Sequence, residues 1–346
     1  MPAMQFQAAP QAIVTMLAAL VVTLACLWVL LSPFGRRLIL DRPNERSLHA
    51  QPVPRSGGLA IAAGVAAGMV AGSTTGVAII PFALGVTLGI AGALAALSFA
   101  DDLFALPMLL RLAAHLAAAG IVNLVLDVSD PFQFALLALA IAWYANLYNF
   151  MDGADGLAGG MAVFGFGAYA WAAHQSGHAA LTAASASVAA ASGAFLLANF
   201  HPARLFMGDV GSVPLGFLAA ALGVFGWHDG VWPLWFPILV FAPFVCDATL
   251  TLVKRLLRRE RVWRAHKEHY YQRLVRMGFG HRGTAWIEYG TMAGCVALAL
   301  FARQADAVVQ AGALCAAVLG LTGIALWIDS RWTRWARTAG SGGAVP

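Results

Sequence analysis

The chain has 346 residues, of which 60% are hydrophobic and only 11% charged, with a formal net charge of +5. Soluble domains carry roughly 25% charged and about 45–50% apolar residues, so a water-soluble enzyme, a disordered chain and a disulfide scaffold are all excluded. A polytopic membrane protein remains, with four cysteines (Cys26, Cys246, Cys295, Cys315) that read as small hydrophobes inside apolar runs.

A helix needs ~20 apolar residues to cross a hydrocarbon core of ~30 Å. In chain order, spans are predicted at 11–32, 57–76, 78–100, 108–127, 132–149, 157–175, 179–200, 212–227, 231–253, 284–302 and 307–328. These eleven spans make an all-α helical bundle, read as one membrane domain over 1–346. The first has no Lys or Arg before it and is followed by Arg36 and Arg37, so it reads as a retained span and not a cleaved signal. The stretch 157–200 is rich in Ala and Gly. Its hydropathy is weak, but small residues let helices approach closely, so it is expected at the bundle centre.

Lys and Arg orient the bundle. With the N-terminus outside (periplasmic) and the C-terminus cytoplasmic, the inner loops fall near 33–56, 101–107, 150–156, 201–211 and 254–283, followed by a basic tail over 329–346. All of the 21 basic residues except Arg303 then lie on the inner side. The positive charge describes that face, suited to anionic lipid or phosphorylated substrates. Nucleic acid is excluded as a partner, because no soluble basic segment exists to carry it.

The same face collects the polar residues that a bilayer does not tolerate. Asp101 and Asp102 close the third span, and Asn146, Asn149, Asp152 and Asp155 lie in the run Asn-Leu-Tyr-Asn-Phe-Met-Asp-Gly-Ala-Asp-Gly. Asp209 lies in Gly-Asp-Val-Gly-Ser, Asp247 sits inside the ninth span, and His266 and His269 share the large basic loop. His49, His201 and His281 read as surface or loop residues, and His115, His174, His178 and His228 as lying in spans or outer loops. Carboxylates brought together repel, and a divalent cation removes the conflict. Asp and Asn without Cys select Mg²⁺ or Mn²⁺ over Zn²⁺. Arg111 and the arginines of 254–282, Arg264 among them, then find partners in phosphate groups. Acids, a metal and arginines together describe phosphoryl transfer.

In that order the motifs resemble the polyprenyl-phosphate N-acetylhexosamine-1-phosphate transferases. The opening Asp41-Arg-Pro-Asn-Glu-Arg-Ser-Leu-His49 and Pro52-Val-Pro54-Arg55-Ser-Gly57-Gly58 is similar to that family's as well. The resemblance implies a membrane enzyme that moves a sugar-1-phosphate from a UDP-N-acetylhexosamine to undecaprenyl phosphate and releases UMP. It implies Asp209 and Asn149 on the metal, Asp152 and Asp155 organising the metal and nucleoside side, and Phe206 stacking on uracil. It also implies Arg111 on phosphate, Asp101 or Asp102 facing the lipid phosphate, and His266 and His269 near the pyrophosphate. Asn146, Asp247 and Arg264 complete the expected substrate contacts. Glu268 stands where the family often has histidine, which resembles the variant in O-antigen-initiating members more than the pentapeptide transferases of peptidoglycan synthesis. A homodimer in the bacterial inner membrane and a role in lipopolysaccharide synthesis accompany that resemblance. A CDP-alcohol phosphotransferase would need Arg where Gly160 stands, and a secondary transporter would need acids near mid-bilayer, where only Asp247 and Asp127 are candidates.

Overall fold

The computed structural model describes residues 3–33, 35, 40–41, 53–76, 79–262 and 266–341. Arg264 and His49 lie outside them. The protein is a helical bundle with one minimal ladder, in which β1 (Leu40–Asp41) pairs antiparallel with β2 (Val53–Pro54). Nine helices among the described residues are long and apolar enough to cross a membrane. They lie in α1 (Ala3–Leu30), α2 (Gly57–Thr74), α3 (Phe82–Phe104), α4 (Met108–Val125), α5 (Pro131–Phe150), α7 (Ala179–Asn199), α8 (Asp209–His228), α12 (Gly280–Ala302, continued back through α11, Tyr270–Leu274) and α13 (Ala307–Ser341).

Two of the expected spans take a different form. Residues 157–175 are helical as α6 (Leu157–Gln175), but they fall short of the apolarity of the nine. The reason is the composition of α6, in which glycines, Tyr169, Trp171, His174 and Gln175 dilute the apolar residues. Its glycines receive rings from other helices, since a Cβ at Gly160 would lie 2.1 Å from Tyr289 and one at Gly165 2.3 Å from Phe241. The span expected over 231–253 is broken into α9 (Trp235–Val240) and α10 (Ala242–Leu257). Pro237 and Pro243 lack the N–H that a continuous helix would donate there. The break places Phe241 among the rings of Tyr144, Phe166 and Tyr169.

The layers follow from small residues. α6 packs on α7, and α7 and α2 both pack on α1. α8 runs through the middle against α3 and α5, with most of its residues buried. Large apolar side chains such as Phe82, Leu109, Phe132 and Leu319 point outward, as they must where the solvent is hydrocarbon. α13 has 35 residues, about 50 Å of helix at ~1.5 Å per residue, so its last turns extend past the membrane.

Candidate active site

The N-terminus of α8 is built on glycine. Gly208 adopts φ +71°, a left-handed conformation that a side chain resists, and a Cβ there would lie 2.5 Å from the Arg55 carbonyl oxygen. Gly58 and Gly211 meet backbone to backbone, with a Cβ on Gly58 falling 2.3 Å from the Gly211 nitrogen. A short ladder joins the two motifs. Phe206 N–H donates to the Pro54 carbonyl at 2.7 Å, and Gly57 and Gly58 N–H donate to the carbonyls of Phe206 and Met207, both at 2.9 Å. Pro-Arg-Ser-Gly-Gly and Gly-Asp-Val-Gly-Ser are therefore one structural unit, although they are about 150 residues apart.

That unit aims Arg55 between two acids. Its guanidinium lies 2.6 Å from Asp102 at the end of α3 and 3.1 Å from Asp209 at the start of α8. Asn149, at the end of α5, donates its amide to Asp209 at 3.3 Å and accepts from the Ser212 hydroxyl at 3.0 Å. Its place is beside Asp209, orienting that carboxylate. Among the described residues no three acids, histidines or cysteines converge with metal-holding geometry. Mg²⁺ needs no more than one or two carboxylates when substrate phosphates complete its shell, so Asp102 and Asp209 fit that ion.

Asp101 points to the other side of α3. It pairs with Arg111 at 2.7 Å and accepts the Leu106 N–H at 2.7 Å, closing the turn into α4. Around this pair Leu103, Phe104, Met108 and Leu109 are exposed, so an apolar rim surrounds it. Asn146 donates to the Ala142 carbonyl at 2.7 Å and lies 3.1 Å from Nδ1 of His115, which is buried in α4.

Two expectations change in the structure. Asp247 was expected to touch substrate, but its side chain is 5% exposed and its oxygens are engaged. It accepts the Tyr270 and Tyr271 N–H groups at 2.9 Å each, and lies 3.2 Å from both the Thr251 hydroxyl and His269 Nδ1. It caps α11 and fixes the His269 ring, which stacks near Phe150. Asp155 is likewise buried and held, with His201 Nδ1 at 2.6 Å, the Ala203 N–H at 3.1 Å and His281 Nδ1 at 3.4 Å. The two imidazoles, expected as surface or loop residues, lie parallel with centroids 5.5 Å apart. Asp152 sits half-buried in the loop between α5 and α6.

His266 is 4.8 Å from His269, ring to ring. Its Nδ1 accepts the Glu268 N–H at 3.3 Å. Burial, the neighbouring His269 and then Arg255 push it down to about 4, so it is a neutral ring at physiological pH. Glu268 turns away from the histidines and pairs with Arg258 at 2.5 Å and Arg255 at 3.6 Å. Burial opposes its ionisation, but the Arg258 hydrogen bond and the charges of Arg258, Arg255 and Arg273 together hold the carboxyl below its usual range.

Arg55, His201 and His281 are not among the candidates that the sequence singles out; the contacts of Arg55 with Asp102 and Asp209 set it apart from the other loop arginines. The model of the glycosyl transferase family 4 matches residues 83–226. A Streptomyces coelicolor protein named as a glycosyltransferase is 31% identical over 337 residues, 94% of this chain and 79% of that one. The chain belongs to glycosyl transferase family 4. A Bacillus subtilis protein named as an undecaprenyl-phosphate N-acetylglucosaminyl 1-phosphate transferase is 29% identical over 282 residues, covering 75% of this chain and 78% of that one. A phospho-N-acetylmuramoyl-pentapeptide-transferase of Lactobacillus delbrueckii is 33% identical over a shorter stretch of 156 residues, 40% of this chain and 47% of that one. This family 4 chain thus has relatives named for N-acetylglucosaminyl 1-phosphate transfer and for phospho-N-acetylmuramoyl-pentapeptide transfer.

Proposed function

We propose that the protein transfers N-acetylhexosamine 1-phosphate, with N-acetylglucosamine as the first donor to test, from a UDP-sugar to undecaprenyl phosphate at the cytoplasmic face of the inner membrane. The observation that carries this reading is the Arg55 guanidinium set between Asp102 and Asp209, beside an Asp101–Arg111 pair on the lipid-facing edge. Paired acids that share a cation suit a Mg²⁺-bound pyrophosphate, and a cation at the hydrocarbon rim suits a lipid phosphate.

In this reading Asp102 and Asp209 would hold Mg²⁺, which when bound would supply charge neutralisation at the pyrophosphate, and Asn149 keeps Asp209 in orientation. Arg111, tethered by Asp101, receives the lipid phosphate. A lipid phosphate oxygen attacks the β-phosphorus. The new O–P bond forms as the bond from that phosphorus to the α–β bridging oxygen breaks, and the electron pair leaves with UMP. The attacking phosphate is already mostly ionised at neutral pH, its second pKa being about 6, so positioning matters more than proton removal. Arg55, set between the two carboxylates, is the cation that would pair with phosphate oxygens of the bound substrate. Neutral His266 offers an N–H to the pyrophosphate. The loop carrying His201 and Phe206 faces the nucleoside, with Asp155 fixing His201.

The test is UMP release by the purified full chain with undecaprenyl phosphate, Mg²⁺ and a panel of UDP-sugars that includes UDP-N-acetylmuramoyl-pentapeptide. Lipid- and Mg²⁺-dependent release from one sugar is expected, with Asp209→Ala lowering it at least ~10²-fold. No release from any donor, by protein shown to be folded, would remove this reading.

A further inference from the structure

A second basic feature lies outside that site. Between the end of α10, the wide turn at Val275–Phe279 and the cytoplasm-directed extension of α13 there is a cavity of about 590 Å³. Lys254, Arg258, Arg273 and Arg276 line it, opposed only by Glu268 and Asp329. The two acids are already matched. Asp329 takes Lys254 at 2.5 Å and Arg273 at 2.8 Å, and Glu268 takes Arg258 at 2.5 Å. Arg276 has no carboxylate within ion-pair distance among the described residues. It lies over the rings of Trp332, at 4.8 Å, and Trp335, at 5.5 Å, and donates to the Lys267 carbonyl at 3.2 Å. The lining therefore carries two positive charges in excess, with one guanidinium held open by tryptophan faces.

Its height in the molecule says what it takes. Asp329 and Trp332 follow directly on the apolar stretch Ala325-Leu326-Trp327-Ile328, so the cavity stands at the plane where hydrocarbon ends. Below it, Leu250, Val253 and Leu257 form one exposed stripe along α10, and Leu257 is itself part of the cavity wall. Tryptophan and arginine at that plane, above an apolar lane, are the complement of a phosphodiester with acyl chains attached. A free phosphate would leave the lane without a partner.

We infer that this cavity binds the headgroup of an anionic glycerophospholipid, with its chains along the Leu250–Val253–Leu257 stripe. The site is separate from the acids at Asp102 and Asp209. It anchors the α13 extension and the Glu268 side of the histidine loop to the membrane surface.

Native mass spectrometry of the full chain in detergent tests this, with dioleoyl phosphatidylglycerol, dioleoyl phosphatidylcholine and soluble glycerol 1-phosphate as probes. Phosphatidylglycerol is expected to bind more tightly than phosphatidylcholine. Arg276→Gln should weaken it roughly fivefold, the effect of one cation near a surface. Arg337→Gln, which removes the same charge from the tail outside the cavity, should leave it unchanged. Trp332→Ala should lower phosphatidylglycerol binding while transfer activity persists in neutral lipid. Equal loss in Arg276→Gln and Arg337→Gln would mean diffuse surface charge and would overturn the site. Equal binding of the two lipids, or full competition by glycerol 1-phosphate, would overturn the lipid assignment.

Discussion

Arg55 owes its position to backbone contacts, since the Gly208 turn and the ladder to Phe206 hold its segment against α8. Its charge offsets the repulsion between Asp102, whose side chain is almost fully buried, and Asp209. Arg55→Gln should therefore melt lower than the parent in EDTA, by on the order of 3 °C, and recover most of that with Mg²⁺. A drop of the same size with and without Mg²⁺ would mean that Arg55 contributes only packing. His266 gives a pH signature. Its pKa in the folded chain is about 4, below the unfolded value near 6.5. Between those two values the unfolded chain binds a proton that the native one does not, so this residue costs stability as the pH falls from about 6.5 toward 4. Histidine NMR resonances should show His266 flat from pH 8 to pH 5, and a midpoint above 6 would refute the assignment. The acids at 101, 102 and 209 were legible because each sits in a local motif. Arg55, and the His201–Asp155–His281 cluster, were not, because contacts across 154, 46 and 126 residues leave no mark in local spacing.

At the scale of elements, the glycine crossing of α2 and α8 is the joint that sets the site. A Cβ on Gly58 would meet only backbone, 2.3 Å from the Gly211 nitrogen and 2.7 Å from the Val210 carbonyl carbon, and one on Gly211 would lie 2.7 Å from the Gly58 Cα and against the Met207 side chain. Gly58→Ala and Gly211→Ala should each cost about 1–3 kcal/mol by overpacking and displace Asp209, cutting UMP release further than the loss of folded protein explains. Gly92 in α3 has open space around its missing Cβ. Gly92→Ala should be neutral or stabilising by up to about 1 kcal/mol, and thermal unfolding of the three variants distinguishes the cases. Helix positions were largely readable from apolar run lengths. The break between α9 and α10 was not, because a 20-residue hydropathy window averages over two prolines, and the short α11 was hidden by the charge of the loop before it. The role of Asp247 followed it out of reach: a cap is visible only when the helix it caps is known.

For the whole molecule, the pattern of Lys and Arg predicts the orientation, with Arg303 expected at the opposite end from the other basic residues. That residue is buried where α12 ends. It donates to the Ala172 carbonyl at 3.0 Å, the Ser176 hydroxyl at 2.9 Å and the Val231 carbonyl at 3.1 Å, tying the ends of three segments together. In a background with the four native cysteines replaced, Asp306→Cys should react with an impermeant maleimide on intact cells, and Ser330→Cys only after lysis. The reverse pattern would invert the bundle and move the site to the outside. The helices also differ in what surrounds them: 94% of the apolar window of α8 is buried within the protein, against 17% for α13. Lipid accepts nearly any apolar side chain, whereas a packed neighbour accepts one shape. Sequence drift should therefore run freely along α13 and hardly at all along α8, so the helix that delivers Asp209 is also the one least able to vary.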